Sequence, residues 1–585
     1  MKRWIILMLL VAFFEGNAQF YYRGILKNEL GKPIPGAKIK LFSNGERPYY
    51  SDDDGLFGIT STKSVDSITI IAAGYQDFKQ TLAAGKYHQL VLQMLPKEKE
   101  KHKKRLNSVI KFLTKSPQFY QQSTLGESYA TLLENELINA QLYPQASISL
   151  SINRAAYSNI RRFINLGMRV PVDAVRIEEM LNYFTLGNLP ANEKGETFNF
   201  KSTVTTCPWN KDNLLASIHL RAPKLLLDTL PPSNLVFLID VSGSMDKENR
   251  LPLVQAAFKL LTENLRPQDK VAIVTYGGMV SVALPTTSGE NKTAIIKAID
   301  SLSANGDTPG AGAIHSAYTL ARTSFIPGGN NRVILATDGD FNVGQTSEKD
   351  LENLIMAQRY TGIYLTCLGV GMGNYKDSKL ETLAKKGEGN FAYIDNIQEA
   401  EKVLVTEFTK TMYTVANDTY IDFNFNKNKI KQYRIIGFDN KKDAVTDSLS
   451  ELEGGEVGSG HYITLLIEIT PTSNAFNFQN EHWGTATLHF IPSLSHNAQA
   501  KTQTFTIQPA TIAFEEASTC IRFSTAVAMF GTLLKQGKAA KLIDIDDVQK
   551  IAFNAADTAD IKQVEFLKLV EKAAKIYAFP KIKKP

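Results

Sequence analysis

The chain has 585 residues, of which 43% are apolar and 21% charged, with a formal net charge of +6. That length exceeds one hydrophobic core and leads to an expectation of about four domains. The small positive balance is dispersed, which argues against a nucleic-acid-binding surface. Its densest basic stretch, Lys97 to Arg105, is interleaved with Glu98 and Glu100 and reads as a solvated linker.

The amino terminus reads as an address. Lys2 and Arg3 precede an apolar run from Trp4 to Phe14, and Gly16-Asn17-Ala18 follows. A basic start, a short apolar core and small residues make a secretory signal peptide, with cleavage expected after Ala18. No later segment reaches about 18 uninterrupted apolar residues, so no transmembrane span is expected in the mature chain. The expected location is therefore exported: periplasm, cell envelope or outside the cell. Cys207, Cys367 and Cys520 are too few and too far apart for a disulfide framework. Cys367 lies in an apolar strand and reads as a buried small hydrophobe; a Cys207–Cys520 bridge is permitted but not required.

Residues 19–95 read as a small β-sandwich, with short alternating segments between Gly, Pro and Asp turns. A linker is expected over 96–123, a mixed region over 124–231, an α/β domain over 232–412 and a last region over 413–585. The mixed region opens with an expected helix (Tyr129 to Leu137). A strand at Ile148–Ile152, a segment at Tyr157–Leu166 and a helical run from Val172 to Phe184 follow, before strands return at Phe198–Thr205 and Leu215–Leu220. From 232 onward, short uninterrupted apolar runs (Leu235–Ile239, Val271–Thr275, Val333–Ala336, Ile363–Leu368, Phe391–Ile394) look like strands buried on both faces. Amphipathic stretches lie between them (Leu251–Leu265, Thr293–Leu302, Ala311–Ser324, Leu351–Tyr360, Ala400–Met412), which predicts a doubly wound, Rossmann-like sheet. Val280–Leu284 is expected as an antiparallel edge. Alternating strands follow up to about residue 510, then helices at Phe523–Lys535, Asp546–Ala555 and Ile561–Tyr577. The fold class is thus multi-domain α/β plus all-β, with β-sandwich segments flanking the α/β domain and a carboxyl-terminal helical region. Strands from both sides of the α/β domain are expected to share one composite sandwich.

One constellation carries chemistry. The strand Asn234–Ile239 runs into Asp240-Val241-Ser242-Gly243-Ser244, and the strand ending at Thr337 runs into Asp338-Gly339-Asp340. A glycine-rich loop, Asn305 to Gly310, contributes Thr308. In open α/β sheets, ligands bind beyond the carboxyl ends of the strands. Carboxylate and hydroxyl oxygens there are hard ligands suited to Mg²⁺, Mn²⁺ or Ca²⁺.

This set resembles the von Willebrand type A family, whose metal-ion-dependent adhesion site uses Asp-x-Ser-x-Ser, a distant Thr and a distant Asp. The resemblance implies Asp240, Ser242, Ser244, Thr308 and Asp338 as ligands of one divalent cation, Mg²⁺ being the first choice. It also implies a protein partner whose Asp or Glu carboxylate completes the coordination. Ala155–Phe163, Asp173–Met180, Cys207-Pro208-Trp209-Asn210, Thr337–Gly344, Gly458–His461 and Phe523–Leu534 extend the resemblance to the bacterial YfbK-type von Willebrand A proteins over residues 124 to 540. Gly277-Gly278-Met279 departs from the family's small-residue stretch and is expected to lie away from the ligands. Gly31 to Ala37 and Ser51 to Phe57 resemble carboxypeptidase-regulatory-like modules, with Asp52-Asp53-Asp54-Gly55 as a turn and not a calcium loop.

The functional expectation is metal-dependent protein binding. The alternatives are an envelope scaffold with a purely structural metal, or a metal-dependent hydrolase. HExxH, a Gly-x-Ser-x-Gly elbow and a P-loop are absent from the sequence, so no enzyme activity is expected. His461, beside Ser459, reads as a structural histidine before a strand.

Overall fold

The computed structural model describes residues 20–577 except 30, 46–47, 53–54, 96–126, 151–152, 188, 193–196, 226–229, 307–309, 340–347, 373–375, 442–453, 474, 476–479 and 494–498. The expected signal peptide, the 96–123 linker with its basic stretch, and Thr308 lie outside the described residues. The chain forms two compact units, divided between Lys111 and Phe112.

In the first unit, Phe20–Asn28 is the central strand of a three-stranded sheet, antiparallel to Leu56–Ser61 and parallel to Tyr87–Leu92. A second sheet joins Tyr49–Tyr50, Lys38–Leu41, Val65–Ile71 and Phe78–Ala83. Period-two alternation sends Tyr22, Leu26, Ile39, Leu41, Ile68 and Ile70 into a shared core. The Asp52 side chain accepts from the Leu56 amide at 2.6 Å and Gly55 adopts φ +74°, so Asp52 shapes a turn.

The second unit begins with a correction. Residues 129–137 are not helical: Leu132–Leu133 pairs with Asn440–Lys441, and Asn135 donates to the carbonyls of Ile435 and Gly437, both at 3.1 Å. Distant backbone takes up the groups that a local helix would have used. Helix α1 (Ala155–Asn165) follows, buried along ten of its eleven residues, and then a short helix, Ile177–Tyr183.

The α/β core contains strands β1 (Ser233–Asp240), β2 (Lys270–Gly277), β3 (Met279–Ser288), β4 (Asn330–Thr337), β5 (Ile363–Val370) and β6 (Phe391–Ile394), in the order β3-β2-β1-β4-β5-β6. Only β3 is antiparallel, an edge hairpin with β2. Leu235, Phe237 and Ile239 face one apolar layer while Val236 and Leu238 face the other, which is why β1 is apolar without a break. Helices α2 (Leu251–Glu263), α3 (Lys292–Asp300), α4 (Gly310–Thr323), α5 (Glu348–Arg359) and α6 (Asp377–Lys386) connect the strands. Helix α2 is pinned by Phe258 stacked on Phe237, centroids 4.2 Å apart. Helix α6 went unread in the sequence because it is lysine-rich; its signal is the spacing of Leu380, Leu383 and Ala384, all buried. The expected helix at Ala400–Met412 is interrupted: Ile397–Glu401 and Phe408–Met412 flank a π-turn over Lys402–Thr406.

Strands from both sides of the α/β core interleave in two sheets. One has the order Thr511–Ile512, Asn199–Thr206, Leu214–Arg221, Tyr462–Pro471, Ile430–Ile436, Ile138–Asn139. The other joins Gln145–Ser149, Thr414–Phe425, Gly484–Pro492 and Lys501–Ile507, with Gly455–Gly458 also paired to Thr414–Phe425. Ile218, Leu465, Ile467, Phe423 and Leu488 fill the space between them. Leu215 and Leu466 face the other way, onto a helical layer that includes α1, Thr519–Lys535, Ile545–Ala555 and Ile561–Tyr577. Cys207, Cys367 and Cys520 are free thiols, so the permitted Cys207–Cys520 bridge is not formed. His461 is buried, and burial holds its ring well below the usual imidazole value.

Buried charge pairs tie the helical layer to the α/β core. Arg161 of α1 bonds Asp395 and Glu399, Arg154 bonds Glu407, and Arg176 bonds Asp377, while Arg162 bonds Glu127 of the segment ahead of α1 through both terminal nitrogens.

Candidate metal centre

The strand order of the α/β core reverses around β1 and β4, and the two ends face the same crevice. Asp240 is the last residue of β1; Asp338 is the first after β4. Both are essentially inaccessible, Asp240 at 0% and Asp338 at 1% exposure. After β1 the chain passes Ser242 and a tight turn at Gly243–Met245, placing Ser242 Oγ 3.1 Å from Ser244 Oγ. Ser242 is buried and Ser244 exposed, so the hydroxyl pair leads from the carboxylates to the surface.

Asp240 is held from two sides. Its Oδ1 accepts the Ser242 amide at 2.9 Å and its Oδ2 accepts the Thr337 hydroxyl at 2.9 Å. Burial pushes its carboxyl up to about 6, against hydrogen bonds from Ser242 and Thr337 that favour the anion, while Asp338 adds repulsion. Thus a carboxylate desolvated by the fold is supported by neutral donors, the situation that a bound cation relieves. The donors fit a divalent ion that prefers oxygen. Among the described residues no cluster of three or more His, Cys, Asp or Glu side chains is arranged to hold a metal, so a cation here depends on hydroxyls as well as on two carboxylates. Asp240, Ser242, Ser244 and Asp338 would hold it; the neighbouring loop reaches the site through Gly306, whose carbonyl accepts the Gly243 amide at 3.0 Å. An ion bound there supplies a directional, electrophilic contact for an anionic oxygen.

Comparison with known families and proteins gives a consistent assignment. Residues 234–406 match the von Willebrand factor type A domain, residues 123–217 a von Willebrand factor family, and residues 410–576 the carboxyl-terminal family of the uncharacterized protein YfbK. The protein YfbK of Escherichia coli (strain K12) is 35% identical over 464 residues, 76% of this chain and 80% of its own. The chain belongs to the YfbK-type von Willebrand A family. Inter-alpha-trypsin inhibitor heavy chain H4 of Homo sapiens is 31% identical over 163 residues, 26% of this chain and 17% of its own. A von Willebrand factor type A structure from Catenulispora acidiphila covers 68% of this chain and 100% of its own at 15% identity, with a TM-score of 0.39.

In this YfbK-type chain two residues at the centre were not foreseen. Thr337 orients Asp240, as described above. Arg250 is 4% exposed and stands at the amino-terminal cap of α2. Its Nη1 donates to Asp338 Oδ2 at 2.6 Å and to the Ser244 carbonyl, and its Nη2 donates to the Met372 carbonyl at 2.6 Å. A cation at a helix amino terminus opposes the helix dipole. Its one sequence signal is an arginine standing at the unfavourable end of the periodic run Leu251–Leu265, and nothing local names Asp338 as its partner.

The Gly277-Gly278-Met279 tip corrects an expectation: it lies against the centre, not away from it. A Cβ on Gly277 would come within 2.6 Å of the Val241 backbone, and one on Gly306 within 2.7 Å of Gly278 Cα. Gly278 itself has φ +73°, which favours glycine, while Gly277 and Gly306 have no room for a Cβ where the three loops meet. Met279 then stands 78% exposed beside them.

Proposed function

We propose that this YfbK-type protein is an exported, divalent-cation-dependent binding protein that captures a carboxylate of a protein partner at the Asp240–Asp338 centre. The observation that carries this reading is the placement of two buried carboxylates, Asp240 and Asp338, at the strand switch point, with the hydroxyl pair Ser242 and Ser244 leading from Asp240 to the surface. Thr308, from the adjacent loop, is proposed as the fifth ligand by family resemblance. Mg²⁺ is the proposed ion, with Mn²⁺ or Ca²⁺ as substitutes. A bound ion makes a directional contact with an incoming Asp or Glu, and the surrounding loops give that contact specificity. Export is proposed from the basic start and apolar run of the first 18 residues. The chain is proposed to act by binding and not as an enzyme.

The test is capture of partners from the native envelope by the full chain, in Mg²⁺ against EDTA, with Asp240→Ala as control. Cation-dependent capture lost in Asp240→Ala is the expected result. If Asp240→Ala lowers the melting temperature yet leaves capture unchanged, the metal is structural and the scaffold reading replaces this one. Turnover of peptide or phosphoester substrates by purified protein would refute the binding-only reading.

A further inference from the structure

Arg250 is held through both terminal nitrogens of its guanidinium. Its guanidinium bridges three loops at the top of the sheet, those following β1, β4 and β5, through the Ser244 carbonyl, the Asp338 carboxylate and the Met372 carbonyl. Its stem lies over Gly371, where an added Cβ would come within 2.6 Å of Nε and 2.8 Å of Cγ. The Gly371 carbonyl is itself held by Arg162 of α1 at 3.3 Å and by the Tyr393 hydroxyl. The helical layer therefore braces the loop on which Arg250 rests.

Resting on the cation-site reading above, we infer that Arg250 is a positioning residue that sets the charge of the metal centre. Asp240 and Asp338 bring two negative charges, and Arg250 cancels one of them. A divalent ion then leaves the centre net positive, whereas two carboxylates alone would leave it neutral. Arg250 thus weakens the hold on the bare cation and strengthens the pull of the loaded centre on a carboxylate. A guanidinium bonded to a ligating carboxylate stands close enough to change the affinity for a divalent ion on the order of tenfold, and for a singly charged carboxylate about threefold, even at the dielectric constant of water.

The experiment uses the full chain, Mn²⁺ as the ion and acetate as the carboxylate probe. Water-proton relaxation reads Mn²⁺ binding and the displacement of Mn²⁺-bound water by acetate. Arg250→Gln is expected to tighten Mn²⁺ by about tenfold and weaken acetate by about threefold, while Arg250→Lys retains both wild-type values. Any result in which the two affinities do not move in opposite directions in Arg250→Gln overturns the inference, because a merely structural role would weaken both. It is equally overturned if Arg250→Lys behaves as Arg250→Gln does. Loss of folded circular dichroism in both Arg250→Gln and Arg250→Met assigns Arg250 to holding the fold and also overturns it. Failure of the wild type to bind Mn²⁺ is a separate result, which removes the cation-site reading itself.

Discussion

Replacing Arg161 by methionine tests whether buried charge holds the helical layer to the α/β core. Arg161 is 3% exposed; its Nε and Nη2 engage Asp395, Nη2 also reaches Glu399 at 2.8 Å, and Nη1 reaches the Tyr183 hydroxyl at 3.0 Å. Glu565, with 38% of its side chain exposed, adds little. Removing one member of a buried pair costs about 3–5 kcal/mol, because the partner stays buried without its counter-charge. The two partners are not equally vulnerable. Burial pushes Glu399 up, but Lys402 and Arg161 outweigh it and hold the carboxyl below its ordinary value; Lys402, 3.3 Å away, remains in the variant. For Asp395 burial already outweighs Arg161, and its carboxyl lies above the ordinary value even in the wild type. The expected loss at pH 7 is therefore near the lower end, about 3 kcal/mol. With Arg161 gone, the folded-state pKa of Asp395 rises further, so the variant loses stability as pH rises from 3.8 toward that new value. Urea unfolding followed by tryptophan fluorescence reads this, since Trp209 and Trp483 lie against the flanking cores. The deficit should be smaller at pH 5 than at pH 7. A loss below about 1 kcal/mol at pH 7, or no difference between the two pH values, would refute the argument.

Other perturbations have equally definite outcomes. Burial, aided by Lys201, lowers the His219 ring from 6.5 to about 4. The unfolded chain takes up that proton below 6.5 while the folded chain refuses it until about 4, so roughly 3 kcal/mol is lost as pH falls through this window; His219→Phe should flatten that slope in urea titrations. Phe258→Ala removes the fully buried ring stacked on Phe237 and should cost about 3–5 kcal/mol in urea unfolding; a cost below about 1 kcal/mol would mean the layer collapses around the cavity. Gly371→Ala combines φ +75° with the clash against Arg250 and should cost about 1–3 kcal/mol. The same variant should show a changed Mn²⁺ affinity, and a wild-type titration would show that Arg250 can move aside freely.

Much of the α/β core was legible because its information is local. Apolar runs such as Leu235–Ile239 mark strands buried on both faces, and the period of Leu251–Leu265 marks the helix between them. Asp240, Ser242 and Ser244 were legible for the same reason, being four residues apart in one turn. Features that depend on distant chain were not. Residues 129–137 look helical alone, and only pairing with Asn440–Lys441 and the bonds from Asn135 account for their extended course. Arg250 reads as a surface charge until Asp338, 88 residues on, is seen beside it. Helix α6 carries its apolar residues on so narrow a stripe that lysines mask it. The glycine tip at 277–278 looked incidental because the loop it packs against comes from another crossover.

The interleaved sheets have a consequence for the order in which the chain acquires its structure. Leu214–Arg221 pairs with Tyr462–Pro471, Ile218 facing Leu465, so a strand completed early waits for a partner roughly 250 residues later. At about 5–20 residues per second of synthesis, that wait is on the order of 10–50 s. In that interval the α/β core, whose parallel strands are joined by short crossovers, has every partner it needs, while the hairpin Asn199–Thr206 with Leu214–Arg221 presents an unmatched edge. In folding that follows the order of synthesis, the flanking strands close last, like a clasp fastened around an object already finished.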